Sequence, residues 1–302
     1  MTKKCLRRLF MQAGKEEKMK VGMVFEGGAS RTSFSCGVMD LFLEEKLMPD
    51  YFIGVSAGIA FGVSYLSQQK GRNLKLLEEY MADKRYMGIR HLLDRKKKSF
   101  YNIEFVFDEL PNKLLPFDYN AFAAYEGTVE AAVTNIHTGK AEYLEVPRYQ
   151  EMEDTLVASC SLPVLFQPVK IGNHYYLDGG ITDSVPYRHA MEEGCDKIIV
   201  VLTREREYVK KKEKSGWIVN RVCKKYPKVV EAMENRPEYY NQQMKELKEL
   251  EKEGKIFVIA PKDTFGVGRT ESDPVKLRRL YDAGYRIAGE RMPALREYLE
   301  RE

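Results

Sequence analysis

The chain has 302 residues, 44% of them hydrophobic, which suits one large α/β domain or two small ones and argues against disorder. A net charge of +4 is too mild to indicate nucleic-acid binding by itself. Cys5, Cys36, Cys160, Cys195 and Cys223 are odd in number and scattered, with no Cys-x-x-Cys pair and no histidine at zinc-ligand spacing. They read as reduced thiols, and no metal is expected.

In chain order, residues 1–19 are a basic tail, with Lys3, Lys4, Arg7 and Arg8 among Leu6, Leu9 and Phe10, and residues 20–302 read as a single domain. Val21–Phe25 is the first buried strand and ends in the turn Glu26-Gly27-Gly28-Ala29. Phe34, Val38, Leu41 and Phe42 then share one helical face. A short strand at 51–53 leads through Gly54-Val55-Ser56-Ala57-Gly58 into an apolar helix at 59–66. This alternation predicts a mainly parallel sheet covered on both faces. Residues 73–83 read as helix, and the aperiodic stretch from 84 to 120 as a cap or lid.

Strands are expected at 128–136 and 141–146, joined by His137-Thr138-Gly139-Lys140, and at 169–171 and 174–177 around Gly172-Asn173. The last of these delivers Asp178-Gly179-Gly180. Pro186 opens a helix that stops at Gly194, and 197–202 is a strongly apolar strand. Residues 204–253 read as a charged helical insertion with Met244, Leu247 and Glu251 on a partly buried face. A last strand at 256–260 precedes a helix opened by Asp273-Pro274 and carrying Leu277, Leu280, Tyr281 and Gly284. No run approaches the roughly 18 apolar residues of a membrane span, so a cytoplasmic protein is expected. The basic runs at 84–98 and 204–228 are solvated faces on the ordinary reading and contacts for an anionic inner membrane face on the functional one.

Gly-x-Ser-x-Gly between a strand and a helix is the context of a nucleophile elbow. Gly54 and Gly58 remove the Cβ atoms that would collide at so tight a turn, and Ser56 lies at a helix N-terminus, which favours developing negative charge. A serine needs a base, and the only histidines are His91, His137, His174 and His189. His137 and His174 fall in a turn and at a strand start. His189 lies a helix beyond Asp178, which carries it away from the strand end. Only one strand precedes the serine strand, too few for an α/β-hydrolase. A Ser-Asp dyad fits better, and it requires a desolvated aspartate, because a carboxylate near its reference pKa of about 3.9 is a weak base. Gly27 and Gly28 at a helix start, with Arg31, suit an oxyanion. Nucleotide-binding glycine and lysine patterns are missing.

Taken together, Phe25-Glu26-Gly27-Gly28-Ala29-Ser30-Arg31, Gly54 to Gly58, Ala158-Ser159-Cys160-Ser161-Leu162-Pro163, and Asp178-Gly179-Gly180 with Pro186 resemble, in order and spacing, the patatin-like phospholipases. The closest likeness is to the bacterial intracellular branch. The resemblance implies a three-layer α/β/α fold with a mainly parallel central sheet, and a cofactor-free Ser-Asp dyad that hydrolyses acyl esters of lipids. Ser56 would be the nucleophile and Asp178 the general base. Gly27, Gly28, Ala29 and Arg31 would form the oxyanion loop, with Gly54 and Gly58 in the elbow and Gly179 and Gly180 in the base motif.

Two glycines of the family's Gly-Gly-Gly-x-Arg/Lys-Gly loop are replaced, by Ala29 and Thr32. Ala29 is harmless at negative φ, whereas a β-branched Thr32 would resist a positive one. The expected function is a serine lipid acyl hydrolase in lipid catabolism, with a lipid or acyl-ester substrate, peripheral contact with anionic membrane and no nucleic-acid partner. The alternatives are a catalytically weak lipid- or membrane-binding protein on the same fold, and a carboxylesterase or thioesterase of soluble substrates.

Overall fold

Residues 19–93, 99–149, 152–212 and 216–301 are described by the computed structural model. The tail at 1–18 and residues 94–98 of the expected lid lie outside them. Eight strands form one sheet: β1 Val21–Phe25, β2 Tyr51–Val55, β3 Thr128–Asn135, β4 Ala141–Glu145, β5 Val169–Ile171, β6 His174–Asp178, β7 Lys197–Val201 and β8 Ile256–Ile259. The order is β5-β6-β3-β2-β1-β7-β8, with β4 on β3. β3, β2, β1, β7 and β8 run parallel, and β4, β5 and β6 add antiparallel pairings.

Strand side chains alternate between faces, and the two cores divide accordingly. Met23, Phe25, Phe52, Ile199, Val201, Phe257 and Ile259 face a core shared with helices α1 (Ser33–Glu44), α2 (Ala57–Leu66) and, later in the chain, a long C-terminal helix at Pro274–Glu300. Val24, Tyr51, Ile53, Ile198, Val200, Ile256 and Val258 face a second core. The parallel strands are apolar throughout because both of their faces are covered. Between β4 and β5 lies a helix without a sequence-level expectation, α3 (Met152–Cys160), whose Met152, Leu156 and Ser159 are buried.

The second core is closed by α4 (Tyr187–Glu192) and α5 (Pro227–Lys252), which contribute Tyr187, Ala190, Tyr240, Met244 and Leu247. The stretch read as a charged insertion thus supplies part of a covering layer through one face of α5. The C-terminal helix, α6 (Pro274–Glu300), starts at the expected Asp273-Pro274, where the Asp273 carboxylate accepts from the Val275 N–H. It crosses α1 in direct backbone contact. A Cβ built on Gly284 would lie 1.9 Å from the Phe34 carbonyl oxygen, and one on Gly37 2.0 Å from that of Tyr281. Among the described residues no helix is long and apolar enough to cross a membrane.

One feature of the ladder positions the site. β3 pairs β2 through 128–132 and β4 through 130–134, so β2 and β4 occupy opposite edges of it. β6 pairs Val133, Thr134 and Asn135, two of which also pair β4, so β6 lies on the β2 edge. β2 and β6 therefore meet end to end along β3: Val55 opposes Ala132, and Asp178 opposes Val133.

Candidate active site

The abutting strand ends bring Ser56 and Asp178 to one place. Ser56 has φ 53° and ψ −127°, a region that costs a non-glycine residue about 1–3 kcal/mol. The turn is over-determined by close approach. A Cβ on Gly58 would lie 2.5 Å from the Phe25 carbonyl oxygen, and one on Gly54 2.5 Å from the Ile59 nitrogen. The Ser56 N–H donates to Ser159 Oγ (2.9 Å), whose own hydroxyl donates to the Ala132 carbonyl (2.8 Å). Ser159, buried in α3, therefore ties the elbow to the middle strand. Its sequence signal was only its place in the Ala158-to-Pro163 run, which carried no role.

Asp178 is buried, and its Oδ1 accepts from the Gly180 N–H (2.8 Å). Its backbone is held by Thr134, whose hydroxyl donates to the Asp178 carbonyl, and by its own N–H, which donates to Ser161. A Cβ on Gly179 would strike the Ala132 carbonyl at 2.2 Å, so the bend after Asp178 requires glycine there. Oδ2 has no hydrogen bond among the described residues, although the Ser56 hydroxyl is near enough to favour the charged carboxylate. Burial raises the Asp178 pKa above the ordinary carboxylate value, opposed by Ser56, Arg236 and the Gly180 N–H.

The histidines stand apart. His189 Nε2 lies 2.8 Å from a Glu130 oxygen and its ring stacks on Tyr143, while His137 and His174 are exposed. No histidine lines either of the pockets that meet at Ser56.

The larger pocket, about 300 Å³, is apolar and is walled by Ala60, Phe61, Leu76, Phe107, Leu156 and Phe166 among others. The segment expected as a lid forms one side of it, with Tyr86, Tyr101, Val106 and Pro111. The smaller, about 50 Å³, is polar and contains Asp178, Gly27, Gly28 and five cationic side chains. Ala29, Ser56, Leu162 and Arg269 belong to both. The N–H groups of Gly28 and Ala29 are not taken up by hydrogen bonds among the described residues, so they can serve an oxyanion beside Ser56.

Residues 23–191, more than half of the chain, match the Patatin-like phospholipase family. The chain belongs to this family. Residues 226–300, which contain the whole of α5 and α6, match a domain of unknown function, DUF6363. The uncharacterized protein YjjU of Escherichia coli (strain K12) is 25% identical over 201 residues, which are 61% of this chain and 52% of YjjU. The match therefore spans about half the length of that relative. The probable lipid hydrolase 463L of Invertebrate iridescent virus 6 is 24% identical over 216 residues, 65% of this chain and 68% of the viral protein. The crystal structure of VipD from Legionella pneumophila aligns with a TM-score of 0.46 at 12% identity, covering 92% of this chain and 67% of VipD.

Within the patatin-like frame, the strain in the Gly27–Thr32 loop is the reverse of the sequence expectation. Thr32 has φ −64° and ψ −7°, which its β-branched side chain accepts, whereas Ala29 has φ 50°. The left-handed region costs an L-residue about 1–2 kcal/mol, part of which glycine would return as chain entropy. Ala29→Gly is therefore expected to raise stability by up to about 1 kcal/mol. Thr32→Gly, which empties a fully buried position, should lower it. Thermal unfolding of the two variants checks the order.

The loop is held by a contact far along the chain: the Ser30 N–H donates to the Arg269 carbonyl (3.3 Å), and the Ser30 hydroxyl, with one proton to give, lies 2.7 Å from the Glu271 carbonyl and 3.0 Å from that of Arg269. Beneath it, Glu26 is buried and accepts from Thr203 N–H (2.6 Å), Thr203 Oγ (3.0 Å) and Tyr240 OH (2.9 Å). Arg204, Lys210, Arg236 and Arg269, all lining the polar pocket, were not singled out as site residues from the sequence.

Proposed function

We propose that this patatin-like chain is a serine lipid acyl hydrolase. Asp178 takes the Ser56 proton as Ser56 Oγ attacks the ester carbonyl, and the N–H groups of Gly28 and Ala29 hold the oxyanion. The intermediate collapses by breaking the bond to the alcohol oxygen, which leaves with the proton from Asp178. Water then gives a proton to Asp178, attacks the acyl-serine and releases the fatty acid as Ser56 recovers its proton. The reading rests on one observation: a strained serine, a buried carboxylate and free backbone donors converge where a small polar pocket meets a larger apolar one.

The strained Ala29 favours the second reading, a weakly catalytic lipid-binding protein, because a distorted loop costs oxyanion stabilisation. Intact-mass labelling with a fluorophosphonate separates the two. A single adduct on the wild-type chain, lost in Ser56→Ala, is expected for the hydrolase. An unlabelled but folded wild-type chain would overturn it.

A further inference from the structure

A cation lines the apolar pocket well away from the reacting serine. Arg72, on the short helical turn after α2, shares the pocket wall with Phe117 and Tyr119 from the end of the segment expected as a lid. Its guanidinium is held by three hydrogen bonds: Nη1 donates to Ser64 Oγ (2.8 Å), Nη2 to the Leu115 carbonyl (2.9 Å) and Nε to the Pro116 carbonyl (3.3 Å). It also lies 5.3 Å from the Phe117 ring centroid. The three acceptors are neutral and occupy three of the five N–H donors of the fork. One N–H on each terminal nitrogen is left over.

Among the described residues no carboxylate acts on this charge, which feels only the phenols of Tyr119 and Tyr86. The two acids that line the same pocket are turned elsewhere. Asp108 accepts from Asn112 Nδ2 (2.8 Å), and both Asp108 and Glu153 act on Tyr119 but not on Arg72. Burial brings the Arg72 pKa down to about 10, so the group is still a cation at neutral pH. Tying α2 to the carbonyls of Leu115 and Pro116 needs donors but no charge, whereas an anion in the pocket would use both. The position sets a length. Ser64 lies eight residues beyond Ser56 on α2, which places the guanidinium roughly 12 Å from the nucleophile along the helix. An extended chain of staggered C–C bonds covers that distance with about nine carbons.

We infer that the apolar pocket takes an acyl chain whose far end carries a carboxylate, with Arg72 as the residue that selects it. The substrate class is an ester of an ω-carboxyacyl group: the ester end meets Ser56, and the free carboxylate meets Arg72. A pocket with apolar walls alone rejects such a chain, because it strips water from an unpaired carboxylate. Here the two remaining N–H groups of the guanidinium receive it as charge-assisted hydrogen bonds. The inference rests on the hydrolase reading for the role of Ser56, and Arg72 itself belongs to neither the dyad nor the oxyanion loop of that reading.

The test compares mono(4-nitrophenyl) azelate with its ω-methyl ester as substrates of the full chain at neutral pH, reading nitrophenolate release. The wild type should favour the free acid by about tenfold or more in kcat/KM, mostly through KM, as charge-assisted hydrogen bonds would dictate. Arg72→Gln keeps donors for the backbone carbonyls but removes the charge, and it should shrink that ratio about tenfold. A wild-type ratio at or below one overturns the inference. So does a ratio unmoved in folded Arg72→Gln, whatever happens to the two rates, because Arg72 would then be only a clamp on the segment at 115–116. If Arg72→Gln does not fold, the wild-type ratio alone decides. If neither ester is hydrolysed, the hydrolase reading fails separately, and calorimetric binding of monomethyl and dimethyl azelate to the full chain decides. Tighter binding of the acid sustains the carboxylate site, and equal or weaker binding overturns it.

Discussion

Asp178→Asn is expected to lower kcat on an acyl ester by about 10²- to 10⁴-fold, the range that general acid-base groups supply. The substituted side chain can still accept the Gly180 N–H through its carbonyl oxygen, and it no longer brings a charge into a buried position. The fold should therefore survive, which separates loss of proton transfer from loss of structure. The pH profile gives a second readout. Because burial raises the Asp178 pKa, its carboxyl is protonated at a higher pH than an ordinary carboxylate near 3.9, and on the proposed mechanism kcat/KM should fall as pH drops through that raised value. The opposite sign holds for stability. A carboxyl whose folded pKa exceeds its unfolded one makes the fold relatively more stable as pH falls from the raised value towards the ordinary one. Stopped assays across the acid range, with thermal unfolding in the same buffers, check both. An unchanged acid limb in Asp178→Asn would assign that limb to another group.

Gly284→Ala is expected to destabilise the chain by about 3 kcal/mol or more, the upper end of what overpacking produces. The added Cβ meets the Phe34 carbonyl at 1.9 Å, and backbone cannot swing away as a side-chain tip can, so α1 and α6 must separate. The contact between them also carries Tyr281 OH donating to buried Asp40, which accepts the Gly71 N–H as well. Gly268→Ala is the control, since nothing lies within 4 Å of its Cβ position. Urea unfolding should show a clearly lower midpoint for Gly284→Ala and almost none of that loss for the control. Equal midpoints would mean that the crossing is looser than the geometry states.

Much of this architecture is written locally in the chain. Val21–Phe25, Tyr51–Val55 and Lys197–Val201 are apolar on both faces because both faces are covered, and such runs are legible without tertiary knowledge. Ser56 and Asp178 were legible through the glycines around them, whose absent side chains are demanded by contacts as close as Ala132 on Gly179. Ala29 and Thr32 were not, because residue type constrains φ without fixing it, and the loop places its strain on the smaller side chain.

Ser159 escaped for a different reason: it acts through a hydrogen bond to the Ser56 N–H, and a buried serine in a helix looks the same whether or not it does so. Arg204 and Lys210 were read as part of a basic run of solvated faces and Arg236 as part of a charged helical insertion, while Arg269 carried no reading. Their convergence depends on α5 lying on the second core and on Ser30 holding the Arg269 backbone, which no local pattern encodes.

The end-to-end meeting of β2 and β6 on β3 makes the spacing of Ser56 and Asp178 a count of rungs. Ala132 and Val133 act as neighbouring marks on a ruler, and each mark carries one partner strand. The connections between Ser56 and Asp178 can then change length without moving the two side chains apart, as long as the ruler keeps its length. A single residue gained or lost between those two marks would do what no loop change can, pulling the hydroxyl and the carboxylate out of register together.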